Sequence, residues 1–219
     1  MNFKKDKYLI IKKAISKELA YFCYNYFIIK RKVYDTLYQS KYVDKSNIDW
    51  GTWFDPQVPN TYSHYSDIVM ETLLLKLKPL VEKKIKLKLI ENYSYARVYK
   101  EGDVLDRHKD RFSCEISTTL NLGGNIWPIF IDLNPKNGFH EKDKYVPGKS
   151  KGIKIILNPG DMLIYRGCEL EHWRNKFDGN NCAQVFLHYN DASIKDAEKN
   201  KFDKRPHLGL PSGFRGKNI

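Results

Sequence analysis

Apolar positions along the chain follow two periods, and the change between them falls near residue 87. From Ser16, placed as an N-cap, Leu19, Phe22, Cys23, Tyr26, Val33 and Leu37 recur at the spacing of one helix face. A stretch rich in Asp, Pro, Asn and Trp, 44–64, reads as a loop. Asp67 then opens a second helix carrying Ile68, Leu73, Leu77, Leu80 and Val81, which Pro79 should kink or shorten. Both stripes read as packing faces that cover a sheet.

Beyond residue 87 the period becomes two. Tyr93, Tyr95, Arg97 and Tyr99 alternate with Ser94, Ala96 and Val98, which predicts a strand over 90–99. Further strands are predicted over 114–122, 127–133, 152–157, 162–165 and 182–189. Asn158-Pro159-Gly160-Asp161 is a β-turn between two of them. Short strands separated by Gly and Pro turns predict a mainly β protein with flanking helices (α+β), a barrel or sandwich with the helices packed outside. One domain is expected: a helical extension over 1–89, a β core over 90–190 and a polar tail over 191–219, lying on the surface or partly disordered.

Composition narrows the class. Apolar residues make up 42% and aromatics 14% of 219 residues, enough for a real core. No apolar run reaches the length of a membrane span, and the lysines of the first 20 residues interrupt any signal-peptide core, so a cytoplasmic protein is expected. Cys23, Cys114, Cys168 and Cys182 lack the spacing of a zinc knuckle or disulfide framework and read as free thiols, Cys114 and Cys168 as small core residues. The net charge of +12 suits anionic partners, yet the lysines are spread along the chain, as on a solvated surface. His64, His140 and His207 sit in polar stretches and are expected at the surface, and Trp127 and Trp173 in the core.

The chemistry centres on His108-Lys109-Asp110. In an extended segment residues i and i+2 point to one side, so an imidazole and a carboxylate can face one ion. His172 follows 64 residues later, after the Pro-Gly-Asp turn and its strand, and can supply a third ligand. Two histidines and one carboxylate on one face leave the opposite positions open, the arrangement used by non-haem Fe(II).

The run Tyr95-Ala96-Arg97-Val98-Tyr99 through Gly102 and Leu105 to His108-Lys109-Asp110 resembles the Y-x-x-G-x-x-L-x-x-H-x-D segment of 2-oxoglutarate/Fe(II)-dependent dioxygenases. The run from Asn158 to His172 is similar to their Pro-Gly-Asp hairpin and distal histidine. The prolyl-hydroxylase-like branch, with its bacteriophage-type members, is nearest. The resemblance covers about residues 90–190 and implies a double-stranded β-helix (jelly-roll) core. It also implies Fe(II) held by His108, Asp110 and His172, with 2-oxoglutarate as co-substrate and O2 as oxidant. The implied reaction is hydroxylation of a substrate C–H bond with decarboxylation of 2-oxoglutarate to succinate. The family places a basic residue about ten positions after the distal histidine to pair with the 2-oxoglutarate C5 carboxylate, and here that position is Cys182. Substitutes are Arg97 with Tyr99 first, then His188 and Gln184, with Arg111 a further option and Thr119 adding a hydroxyl. A structural role for Arg97 would be an ion pair, for example with Glu115. Two other readings stand beside this one: a cupin-like metalloenzyme that does not use 2-oxoglutarate, and a basic nucleic-acid-binding or interaction protein. The primary substrate (a protein residue, a free amino acid or a nucleic-acid base) is not written in the chain.

Overall fold

A computed structural model describes residues 2–44, 46–142 and 144–217. In chain order it contains α1 (Phe3–Asp6), β1 (Tyr8–Ile11), α2 (Lys17–Gln39), β2 (Tyr62–Tyr65), α3 (Ile68–Ile85), β3 (Leu89–Lys100) and β4 (Leu105–His108). Then come β5 (Ile116–Gly124), β6 (Ile129–Ile131), the hairpin β7 (Phe139–Glu141) and β8 (Lys144–Val146), β9 (Ile153–Ile155), β10 (Met162–Arg166), β11 (His172–Arg174) and β12 (Asn181–Asp191). Six strands form the larger sheet in the order β1-β10-β5-β12-β3-β2, and four form the smaller in the order β4-β11-β6-β9. Every registered pair is antiparallel. The architecture is the expected α+β arrangement, a double-stranded β-helix with helices outside it.

The period-two pattern explains which face goes where. On β3, β5 and β12 the residues Ala96, Val98, Leu120, Leu122, Ala183, Val185 and Leu187 belong to one buried apolar cluster with Ala20, Cys23 and Phe27 of α2 and Met70, Leu73, Leu77 and Val81 of α3. The alternate residues of the same strands (Tyr95, Arg97, Tyr99, Thr119, Gln184, Phe186 and His188) face the space between the sheets. Sheet and helices thus share one core, and the inter-sheet space is left for a site.

Local signals account for the helix ends. The Ser16 hydroxyl accepts from the Leu19 N–H and the Asp67 carboxylate from the Met70 N–H, each satisfying a first-turn donor. Pro79, expected to kink or shorten α3, lies inside a helix that continues to Ile85. The carbonyl freed by its missing N–H is that of Leu75, on the exposed side, where water can take it. Part of the expected 44–64 loop is β2, an edge strand paired with β3, and His64 on it is buried rather than exposed, with Nδ1 3.3 Å from Asp67 Oδ2. His140 and His207 are exposed as expected.

The C-terminal segment is packed, not loose. Asn200, Asp203 and Arg205 are buried, and Arg205 donates to Glu71 Oε1 at 2.8 Å and to the Asn92 carbonyl at 3.1 Å. Phe202, Asp203 and Lys204 are three successive non-glycine residues with φ of 54°, 56° and 64°. That conformation costs about 1 kcal/mol or more at each residue.

Candidate metal centre

The two histidines meet because their strands pair. β4 and β11 are antiparallel neighbours with His108 opposite His172, and the ring centroids are 4.2 Å apart. Asp110 lies two residues beyond β4, its N–H donating to the Gly167 carbonyl at 2.9 Å. Asp110 Oδ1 is 3.8 Å from His108 Nε2 and 3.7 Å from His172 Nε2. The three ligand atoms lie within 4.8 Å of one another. Gly167 is required by this approach, since a Cβ there would sit 2.2 Å from Asp110 Oδ2.

The outer nitrogens are already used. His108 Nδ1 lies 2.7 Å from the Asp106 carbonyl and His172 Nδ1 3.0 Å from the Leu170 carbonyl. A carbonyl only accepts, so each Nδ1 carries the proton and each Nε2 turns a lone pair inward. Burial, with the His108 ring beside it, pushes the His172 pKa down to about 4, which keeps that lone pair available. Burial pushes the Asp110 carboxyl up, but His172, His108, His188 and a hydrogen bond from Ser117 outweigh it and hold the group below the ordinary carboxylate value. Two imidazole nitrogens and a carboxylate on one side of one point are the donor set of a divalent iron site, so the residues present fit that ion.

Asp110 is braced on both sides. The Ser117 hydroxyl donates to its Oδ2 at 2.7 Å and lies 3.0 Å from His188 Nδ1. The next residue, Arg111, is gripped by Asp203 through two hydrogen bonds of 2.7 and 2.8 Å, on the strained C-terminal run. Asp110, Cys114 and His188 form a second close set. Burial raises the Cys114 thiol well above its usual pKa, so it stays protonated against Tyr93 Oη at 2.9 Å and makes a poor ligand. Cys168, expected in the core, is half-buried, its Sγ 3.1 Å from the Arg111 carbonyl.

A cavity of about 370 Å³ opens beside the triad. Its wall includes Tyr93, Tyr95, Arg97, Phe186 and His188 from β3 and β12. Arg97 is fully buried, but it is occupied: it donates to Asp55 and Gln57 of the 44–61 segment and to Tyr99 Oη at 3.1 Å. Its acidic partner is therefore Asp55, and Glu115 instead holds Arg166 at 2.8 Å. Tyr99 packs edge-on against Trp127, below the cavity wall. Thr119 Oγ1 donates to Gln184 Oε1 at 3.2 Å, and the His188 ring lies tilted against Tyr93 with centroids 4.6 Å apart.

Sequence reasoning passed over Arg174. It sits two residues after His172 on β11, hence on the same inward side and about 6.6 Å along the strand. Its guanidinium is 1% exposed, donates to the Trp127 carbonyl and, at 3.4 Å, to Thr119 Oγ1, and its Nε has no partner. No carboxylate pairs with it among the described residues. Burial accordingly lowers its pKa. A basic residue at i+2 from a candidate ligand histidine in a strand was the available signal.

No protein-family model and no curated protein matches the sequence. Solved structures do match the fold. A prolyl-4-hydroxylase from Pseudomonas putida superposes with a TM-score of 0.59 at 11% identity, over 87% of this chain and 96% of that one. The epimerase SnoN of nogalamycin biosynthesis, in complex with Fe3+, alpha ketoglutarate and nogalamycin RO, gives 0.61 at 12%, over 96% and 91%. The viral collagen prolyl hydroxylase of Paramecium Bursaria Chlorella virus-1, a 2-oxoglutarate complex, gives 0.54 at 12%, over 85% and 97%. At such identities the likeness is one of fold. No helix among the described residues is long and apolar enough to cross a membrane.

Proposed function

We propose that the protein is a non-haem Fe(II), 2-oxoglutarate-dependent oxygenase of the prolyl-hydroxylase-like kind that hydroxylates a C–H bond. His108 Nε2, Asp110 Oδ1 and His172 Nε2 are the ligands of one Fe(II). The observation that carries the co-substrate is Arg174, a fully buried guanidinium without a counter-ion among the described residues, one strand repeat from His172. An uncompensated buried charge costs several kcal/mol, and a carboxylate supplied by a ligand removes that cost. Arg97 has Asp55 and so has less need of an anion. A dicarboxylate whose keto-acid end sits at the triad would therefore place its far carboxylate on Arg174 and Thr119. Arg174 would thus supply the basic group that position 182, a cysteine, does not.

With both groups bound, iron and co-substrate would supply the oxidising chemistry, in which substrate C–H, 2-oxoglutarate and O2 give substrate C–OH, succinate and CO2. The protein's own part is orientation and exclusion of water. Leu105, Ile129, Tyr165 and Phe186 line the cavity with apolar surface, and His188 holds Ser117 against Asp110. The Asp55–Arg97 pair, with Tyr93 and Tyr95, is left to face the primary substrate.

The test is anaerobic titration of the Fe(II) protein with 2-oxoglutarate, followed by the visible charge-transfer band of a chelated keto acid. Wild type should develop the band stoichiometrically. His108→Ala, Asp110→Ala and His172→Ala should each lose iron and band while keeping the fold. An Asp110→Ala protein that binds iron as tightly as wild type would overturn the assignment.

A further inference from the structure

The residue immediately before each histidine ligand is charged, Arg107 before His108 and Glu171 before His172. Because neighbours along a strand point to opposite faces, both side chains lie on the outside of the smaller sheet while the histidines point in. There they meet: Arg107 Nη1 donates to Glu171 Oε2 at 2.9 Å. The same guanidinium lies over Trp173, 3.4 Å from the ring centroid, and donates to the Ser150 carbonyl at 2.5 Å. Trp173 is in turn stacked on Phe130 of β6.

The Glu171 carboxylate has no solvent exposure and is saturated from outside the sheet as well. Tyr145 Oη donates to its Oε1 at 3.0 Å and the Gly148 N–H at 2.8 Å. Gly138 and Gly148 are required by this contact, since a Cβ on either would lie under 3.0 Å from a Glu171 oxygen. The β7–β8 segment is thus hung on the residue that precedes a metal ligand.

The backbone alone holds the two histidine strands poorly. Between its registered partners β4 spends three residue steps (108 − 105) where β11 spends two (174 − 172), so the ladder carries a bulge. A bulge leaves a residue unpaired and bends its strand. The His108–His172 separation is then under-determined by main-chain hydrogen bonds, at the place where a metal site tolerates least slack.

On the reading that these histidines hold a metal, we infer that Arg107 and Glu171 are positioning residues. Their ion pair, clamped over Trp173, cross-braces β4 and β11 from the outer face and sets the spacing of the two imidazoles on the inner face. Neither touches the metal or the cavity around it. Their effect passes through the backbone of the adjacent ligand.

The experiment uses Co(II) alone as probe, in the full chain. Arg107→Met with Glu171→Gln removes both charges together, leaving no buried carboxylate unpaired, so the double variant should fold. Its affinity for Co(II) should fall about tenfold or more, the loss typical of outer-shell support, and the visible bands of bound Co(II) should shift. Arg107→Lys keeps charge but loses the planar fork and the stack on Trp173, and should fall between. Val81→Ala, in the helix core, lowers the apo melting temperature through a remote cavity and should leave Co(II) affinity and spectrum as in wild type. Wild-type affinity and spectrum in the double variant would overturn the inference, and so would an equal loss in Val81→Ala, which would make the effect one of general stability. A wild-type protein that takes up no Co(II) would instead overturn the metal centre itself.

Discussion

Arg174→Met separates a ligand-binding arginine from a structural one, because its two effects should differ in sign. In the protein without ligand the substitution removes a guanidinium that is 1% exposed and has no counter-ion among the described residues. Relief of such a charge is worth several kcal/mol, against about 1–3 kcal/mol for leaving the Trp127 carbonyl without its donor. The apo melting temperature should therefore hold or rise. With 2-oxoglutarate the balance reverses. A carboxylate held by a desolvated guanidinium loses about 2–5 kcal/mol when one partner goes, which is ~30-fold or more in affinity. Wild type at a 2-oxoglutarate concentration 100 times Kd gains about 2.7 kcal/mol. For a chain of 219 residues that is an upward shift of roughly 5–10 °C. Differential scanning fluorimetry of the Co(II) protein, with and without 2-oxoglutarate, reads both effects. Arg174→Met should keep its metal, match or exceed wild type without ligand, and show almost no shift with it. A full wild-type shift in Arg174→Met would refute the assignment. Loss of that shift in Arg97→Met instead would move the carboxylate to β3, as first expected from the sequence.

Gly167→Ala places a methyl 2.2 Å from Asp110 Oδ2, so stoichiometric Co(II) binding should be lost although residue 167 is no ligand, and retained binding would show that the Asp110 loop can shift freely. Asp203 tests the C-terminal brace through pH: burial opposes its ionisation, but Arg111, Ser113 and Tyr65 outweigh it and hold its pKa at about 2. A carboxyl depressed in the folded state stabilises the protein above its ordinary pKa and loses that contribution as pH falls from there through about 2. Asp203→Asn should accordingly lower the melting temperature at pH 6 and make little difference at pH 2, and a penalty equal at both would deny the linkage.

The clustering of His108, Asp110 and His172 was legible because its information is local. His108 and Asp110 share a face by spacing alone, and His172 follows a turn whose Pro and Gly are visible in the sequence. The alternating strands 90–99 and 182–189 were legible for the same reason, and they are paired interior strands of the larger sheet. Arg174 was not, since its meaning depends on the absence of an acidic neighbour, a property of the barrel interior that no spacing encodes. The strands β1 and β2 were missed because both are edges, where a single neighbour supplies the hydrogen bonds and little alternation is demanded. His64 was misjudged with β2, and Pro79 because the chain does not reveal which side of α3 faces water. The hairpin β7–β8 escaped notice because it is held by one buried carboxylate rather than by an apolar face.

The left-handed run at 202–204 has a consequence for how the protein comes into being. Asp203 reaches back 92 positions to Arg111 and is made 31 residues after His172. A chain still on the ribosome therefore carries all three residues of the proposed metal site before it carries the residue that steadies the loop of Asp110. Three backbone conformations that oppose their own residues must then be adopted together, and the grip on Arg111, Ser113 and Tyr65 is what compensates for them. Bracing of the site thus comes later in synthesis than the residues it braces: a product truncated ahead of Asp203 would keep His108, Asp110 and His172, yet lack the clasp that steadies the Asp110 loop.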